Sequence, residues 1–80
     1  MSQSTPHDSA IDITADLCPM TFVRTRLALD RLASGQVLQL RLRGAEPRRN
    51  VPETATRQGH TVLARREEAD GDLTLWIRKA

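Results

Sequence analysis

A two-layer α/β sandwich is the predicted fold: a β-α-β-α-β-β chain whose four strands make one mixed sheet, with both helices on one face. Three observations carry that prediction. Residues 37–43, Val-Leu-Gln-Leu-Arg-Leu-Arg, alternate apolar and polar, which is the period of a strand with one buried face. Phe22, Thr25, Leu29 and Leu32 recur at the spacing of one helix stripe. Leu73, Leu75 and Ile77 alternate with Thr74, Trp76 and Arg78 behind an Asp70-Gly71 turn, the pattern of a terminal hairpin.

The elements follow in order. Residues 1–10 mix Ser, Gln, Thr, Pro, His and Asp without periodicity and are expected to form a mobile tail, leaving 11–80 as the single domain. Ile11 and Ile13 flank Asp12 in a short first strand. Pro19 opens the first helix, since a proline in the first turn lacks only a donor that the helix does not use, and Ser34-Gly35 ends it. Val37 to Arg43 is the second strand. Gly44 to Arg49 is expected as a loop, followed by a capping box at Asn50-Val51-Pro52-Glu53 and a short helix stopped by Gly59. Thr61 to Arg66 and Leu73 to Arg78 complete the sheet. The strand-helix-strand crossover at the start predicts a parallel first pair, and the hairpin adds antiparallel strands.

Composition bounds the function. Of 80 residues, 39% are hydrophobic and 28% charged, an ordinary globular balance with room for one small core. The net charge of +2 is too slight for a dedicated nucleic-acid binder, though it is uneven. Three Arg face four Asp in residues 1–35, while nine Arg and Lys face six acids in residues 36–80. No apolar run approaches the roughly 20 residues that span a bilayer, and residues 1–6 lack the features of a secretory signal, so a cytoplasmic location without membrane contact is expected. The single cysteine excludes an internal disulfide and a multi-cysteine zinc site. His60 has no second His or Cys near it in sequence, so neither a metal nor another cofactor is expected.

Cys18 carries the chemistry. It stands before Pro19 at the mouth of the first helix, where first-turn amides lack partners and the macrodipole favours an anion. Position alone leaves two readings open: a reactive thiolate, or a small buried hydrophobe, the common state of a free cysteine.

The run Asp16-Leu17-Cys18-Pro19, then a helix, the run Ser34-Gly35-Gln36-Val37-Leu38, the step Glu46-Pro47 and the pair Gly59-His60 resemble the TusA/SirA family of small sulfur-carrier proteins over about residues 11–80. The resemblance implies that Cys18 receives a persulfide from a cysteine desulfurase or another sulfur donor and passes it to a downstream acceptor protein. It implies a relay component rather than an independent catalyst. Where the family has a second proline, this chain has Thr21, which restores a backbone donor one turn after Cys18. Its N–H, with its hydroxyl as a second candidate, is expected to face the sulfur. The departure leaves acceptors other than those of tRNA thiolation open.

Two surfaces carry further expectations. Met20, Val23 and Leu27 form a second apolar line on the helix, beside Arg24 and Arg31. They either pack under the helix edges or form a docking patch for a sulfur donor or acceptor. On the sheet face away from the helices, Gln39, Arg41, Arg43, Thr74, Trp76 and Arg78 are expected to gather. This face is either a solvated surface, with Trp76 packed on arginine stems, or an RNA-binding platform; nucleic-acid binding is the alternative function.

Overall fold

The computed structural model of the chain describes residues 7–16 and 20–80. The elements appear in the predicted order: β1 Ser9–Asp12, α1 Met20–Asp30, β2 Val37–Leu42, α2 Ala45–Arg57, β3 Thr61–Glu67 and β4 Leu73–Arg78. The sheet runs β1-β2-β4-β3, with β1 parallel to β2 and β4 antiparallel to both of its neighbours.

The alternating strands dictate this order. β2 and β4 carry the strictest apolar alternation and therefore take the centre, where Leu38 pairs with Ile77, Leu40 with Leu75 and Leu42 with Leu73. All six side chains are fully buried. Ile13, Leu29 of α1, and Val51 and Ala55 of α2 close the core over them, with Phe22, Leu32 and Val62 packed at its margin. At about 25 cal/mol per Å² of buried apolar surface, this one layer supplies most of the driving force for folding.

β1 and β2 each end one residue earlier than expected, at Asp12 and Leu42, and four further boundaries differ more informatively. β1 begins at Ser9 rather than Ile11, so residues 9 and 10 belong to the sheet and not to a tail. The polar segment is ordered by its backbone: Asp8 N–H donates to the Val37 carbonyl at 2.8 Å, and Val37 N–H donates to the Asp8 carboxylate at 2.8 Å. α1 ends at Asp30, short of Ser34-Gly35. Lys79 Nζ, from the far end of the chain, donates to the Leu29 carbonyl at 2.8 Å and caps it there.

α2 starts at Ala45, six residues before Val51, where the expected capping box would have begun the helix. Gly44 enters it at φ 104°, and Arg48 N–H makes the first helical bond to the Gly44 carbonyl at 3.1 Å. Pro47 falls in the first turn, where no amide is required, so Glu46-Pro47 begins the helix and Asn50 lies within it. The far end matches the expected glycine stop. Gly59, at φ 95°, donates to the Thr56 carbonyl and His60 N–H to that of Ala55, both at 3.0 Å, which is a Schellman closure. Finally, β3 runs one residue further, to Glu67, and a bulge between Val62 and Ala64 leaves Leu63 half-exposed at the sheet edge.

Candidate functional site

α1 presents two faces. Thr21, Thr25 and Leu29, spaced at i, i+4 and i+8, are buried against the sheet, while Phe22 and Leu32 of the expected stripe sit at its margin. The buried stripe is therefore rotated toward Thr21. The opposite flank exposes Met20, Val23 and Leu27 at 47%, 42% and 52%, an apolar ridge that no other element covers.

A groove runs on each side of this ridge. Between α1 and α2 a cleft of 190 Å³ is floored by Phe22, Leu29, Val51 and Ala55, with Val23 and Arg26 at its lip. Between α1 and β1 a shallower cleft of 170 Å³ is bounded by Ile11, Leu27 and Ala28 and by the two arginines Arg24 and Arg31. Arg24 Nη1 is tied to Asp16 at 2.6 Å and to the Asp12 carbonyl at 3.3 Å. Arg31 is exposed and makes no ion pair among the described residues. The ridge is thus apolar along its crest and basic along one side.

Cys18 and Pro19 lie outside the described residues. Thr21, three positions after Cys18, is 1% exposed, and its Oγ1 is the one buried side-chain polar atom among the described residues that has no hydrogen-bond partner. Its neighbour Thr25 is satisfied in the ordinary helical way, Oγ1 donating to the Thr21 carbonyl at 2.7 Å. Among the described residues no cluster of His, Cys, Asp and Glu is arranged to hold a metal ion. His60 Nδ1 accepts from the Ala80 N–H at 3.0 Å, so the histidine fastens the last residue of the sequence to the corner after α2.

The other face of the sheet gathers the residues expected there, in an unexpected state. Trp76 is only 3% exposed. Its Nε1 donates to Gln39 Oε1 at 3.1 Å, and the Arg66 guanidinium lies 5.3 Å from the ring centroid. Arg41, Arg43 and Arg66 are engaged in the same way, while Arg78 is exposed. Arg43 Nε and Arg41 Nε donate to the buried Asp72 carboxylate at 2.7 and 2.9 Å, Arg41 reaches Asp70 at 2.7 Å, and Arg66 bonds Glu68 at 3.0 Å. These hydrogen bonds, that of Arg43 first, hold the Asp72 carboxyl below the ordinary carboxylate range against the opposing effect of burial. The Thr74 hydroxyl, ahead of Arg66, does the same for Glu68. An indole sealed in this way offers no open ring for a base to stack on. Sequence reasoning read Asp70-Gly71-Asp72 only as a turn; the signal it lacked was the shared face of Arg41, Arg43 and Asp72, which depends on the β2-β4 register.

Comparison with known proteins is consistent across families, relatives and folds. The family model described as Sulfurtransferase TusA matches residues 9–79. A sulfur carrier protein TusA of Pseudomonas entomophila is 34% identical over 73 residues, which cover 91% of this chain and 90% of that protein. Its counterpart in Pseudomonas putida strain W619 is 33% identical over 79 residues, 99% and 96% of the two chains. The crystal structure of a SirA-like protein from Desulfitobacterium hafniense shares the fold, with a TM-score of 0.78 over 89% of this chain and 96% of that one at 24% identity. No helix among the described residues is long and apolar enough to cross a membrane.

Proposed function

We propose that this chain, which belongs to the TusA sulfurtransferase family, carries sulfur as a persulfide on Cys18 and relays it from a donor to an acceptor protein. The observation that carries the reading is the family match over residues 9–79 in a chain with one cysteine, which leaves Cys18 as the only thiol able to hold the sulfur.

The chemistry is a pair of thiol exchanges without net oxidation. The Cys18 thiolate attacks the outer sulfur of a donor persulfide; the donor's sulfur–sulfur bond breaks, a new one forms to Cys18, and the donor leaves as a thiolate. The acceptor's thiolate then attacks the outer sulfur on Cys18 and restores the Cys18 thiolate. α1 starts at Met20, two residues after Cys18, and the positive end of a helix favours the anionic form that each step requires. Proximity supplies the rate, so the chain acts as a relay and the partner provides any general base.

Docking falls to the ridge of Met20, Val23 and Leu27 with Arg24 and Arg31 beside it. The partner that fits is a sulfur donor, such as a cysteine desulfurase, with an apolar contact rimmed by carboxylates, because the unpaired charge along this groove is positive. A cytoplasmic setting, with its reducing thiol pool, suits a carrier that works through one free cysteine.

The test is transfer of radiolabelled sulfur from a desulfurase and labelled cysteine. Label retained by the wild-type chain, released by an added thiol and absent from Cys18→Ser supports the carrier role; equal labelling of Cys18→Ser refutes it.

A further inference from the structure

We infer that the cleft between α1 and α2 binds a small monocarboxylate with one aromatic or branched apolar body, a ligand distinct from the sulfur of the proposed relay. The cleft is floored by Phe22, Leu29, Val51 and Ala55, and its volume is 190 Å³. A cavity of about 150 Å³ lined by such side chains holds one benzene ring, so this cleft has room for a ring and a few further atoms. A ring placed there leaves water for side chains already packed in or against the core, and the floor thus supplies the apolar half of the recognition.

The rim supplies the polar half. Arg26 is the one charged side chain lining the cleft. It makes no ion pair and no side-chain hydrogen bond among the described residues, although Asp30 stands one turn further along α1. By contrast Arg24, Arg41, Arg43, Arg48, Arg57 and Arg66 each hold a carboxylate of the chain. On the opposite bank Thr54 and Gln58 share one face of α2, and neither side chain has a hydrogen-bond partner among the described residues. A guanidinium fork, a hydroxyl and a carboxamide above an apolar floor together offer donors to one carboxylate. A dianion such as phosphate fits less well, because one arginine balances one charge and the floor cannot solvate the second. A helix or strand of a partner protein needs a longer groove than the space of one ring, which favours a free small molecule.

The probe is hydrocinnamate, a phenyl ring on a propionate, titrated into the full chain at neutral pH and followed by the methyl resonances of Val23, Leu29, Val51 and Ala55. Hydrocinnamyl alcohol, the same body without charge, and acetate, the charge without the body, are the controls. Saturable shifts with a dissociation constant of about 1 mM are expected for a ligand of this size. Both controls should bind about tenfold more weakly. Arg26→Gln, at an exposed position, should keep the wild-type melting temperature and weaken hydrocinnamate about tenfold while leaving the alcohol unchanged. Gln58→Glu, which sets a carboxylate on the rim, should likewise weaken the acid alone. Equal affinity for acid and alcohol, an Arg26→Gln variant that binds the acid as well as wild type, or shifts that never saturate would each overturn the inference. So would methyls that ignore the acid yet shift when a desulfurase is added, a result that assigns the cleft to the protein partner.

Discussion

The Asp72 carboxylate, 1% exposed, accepts from Arg43 Nε at 2.7 Å, while its second oxygen accepts from Arg41 Nε at 2.9 Å. One buried anion thus fastens the turn after β3 to the end of β2. Its carboxyl is held below the ordinary value of 3.8, so the stability it contributes is complete above that value and is lost as pH falls through the lower folded one. Thermal melting followed from neutral to strongly acid pH should show a fall in this window. Asp72→Asn should melt lower at neutral pH and show a smaller acid-dependent fall; a parallel pH curve would show that other carboxylates carry the effect.

Leu27→Glu tests the ridge. Half-exposed at 52%, Leu27 should tolerate the change within about 0.5 kcal/mol of stability. Sulfur uptake from the donor should slow, because a carboxylate placed beside Arg31 neutralises the positive charge offered to the partner and puts a charge on the apolar crest. A sharp loss of stability would assign Leu27 to the core, and unchanged uptake would remove it from the docking surface.

Trp76→Ala should cost roughly 3–5 kcal/mol, the range for truncating a large buried aromatic, by denaturant unfolding. The same variant tests the nucleic-acid alternative. Steep, salt-sensitive RNA binding by the wild type that disappears with the ring would favour that alternative; the ring's 3% exposure predicts none.

Gly59 holds φ 95° where α2 closes. Gly59→Ala should lower stability by about 1–2 kcal/mol, the cost of a left-handed conformation for a residue with a Cβ, without changing the reactivity of the thiol. Denaturant unfolding and thiol alkylation on one sample separate the two effects.

The strands and their succession along the chain were legible because β2 and β4 carry their apolar residues at strict period two, so Leu38, Leu40, Leu42, Leu73, Leu75 and Ile77 could face only one way; their order across the sheet was not. The helix limits were less so. α1 ends where Lys79 reaches Leu29, a contact across 50 positions that no local pattern encodes. At α2 two proline signals competed, and Pro47 took the first turn while Pro52 was absorbed inside the helix. Trp76 read as an open-face residue by alternation, correctly for its side of the sheet; its burial comes from Arg66 on the neighbouring strand and Gln39 across the ladder. At the site, the apolar line of Met20, Val23 and Leu27 was visible as spacing, but spacing does not say which of two apolar stripes faces the sheet. The orphaned Thr21 hydroxyl was equally out of reach, since partnering is a property of packing.

Intact mass spectrometry of the wild-type chain, after incubation with a cysteine desulfurase and cysteine, addresses sulfur carriage most directly. A species heavier by one sulfur atom, mapped to the peptide containing Cys18 and discharged by an acceptor thiol, is the predicted result. A chain that keeps its original mass while the desulfurase turns over and a known carrier in the same tube is loaded would contradict it.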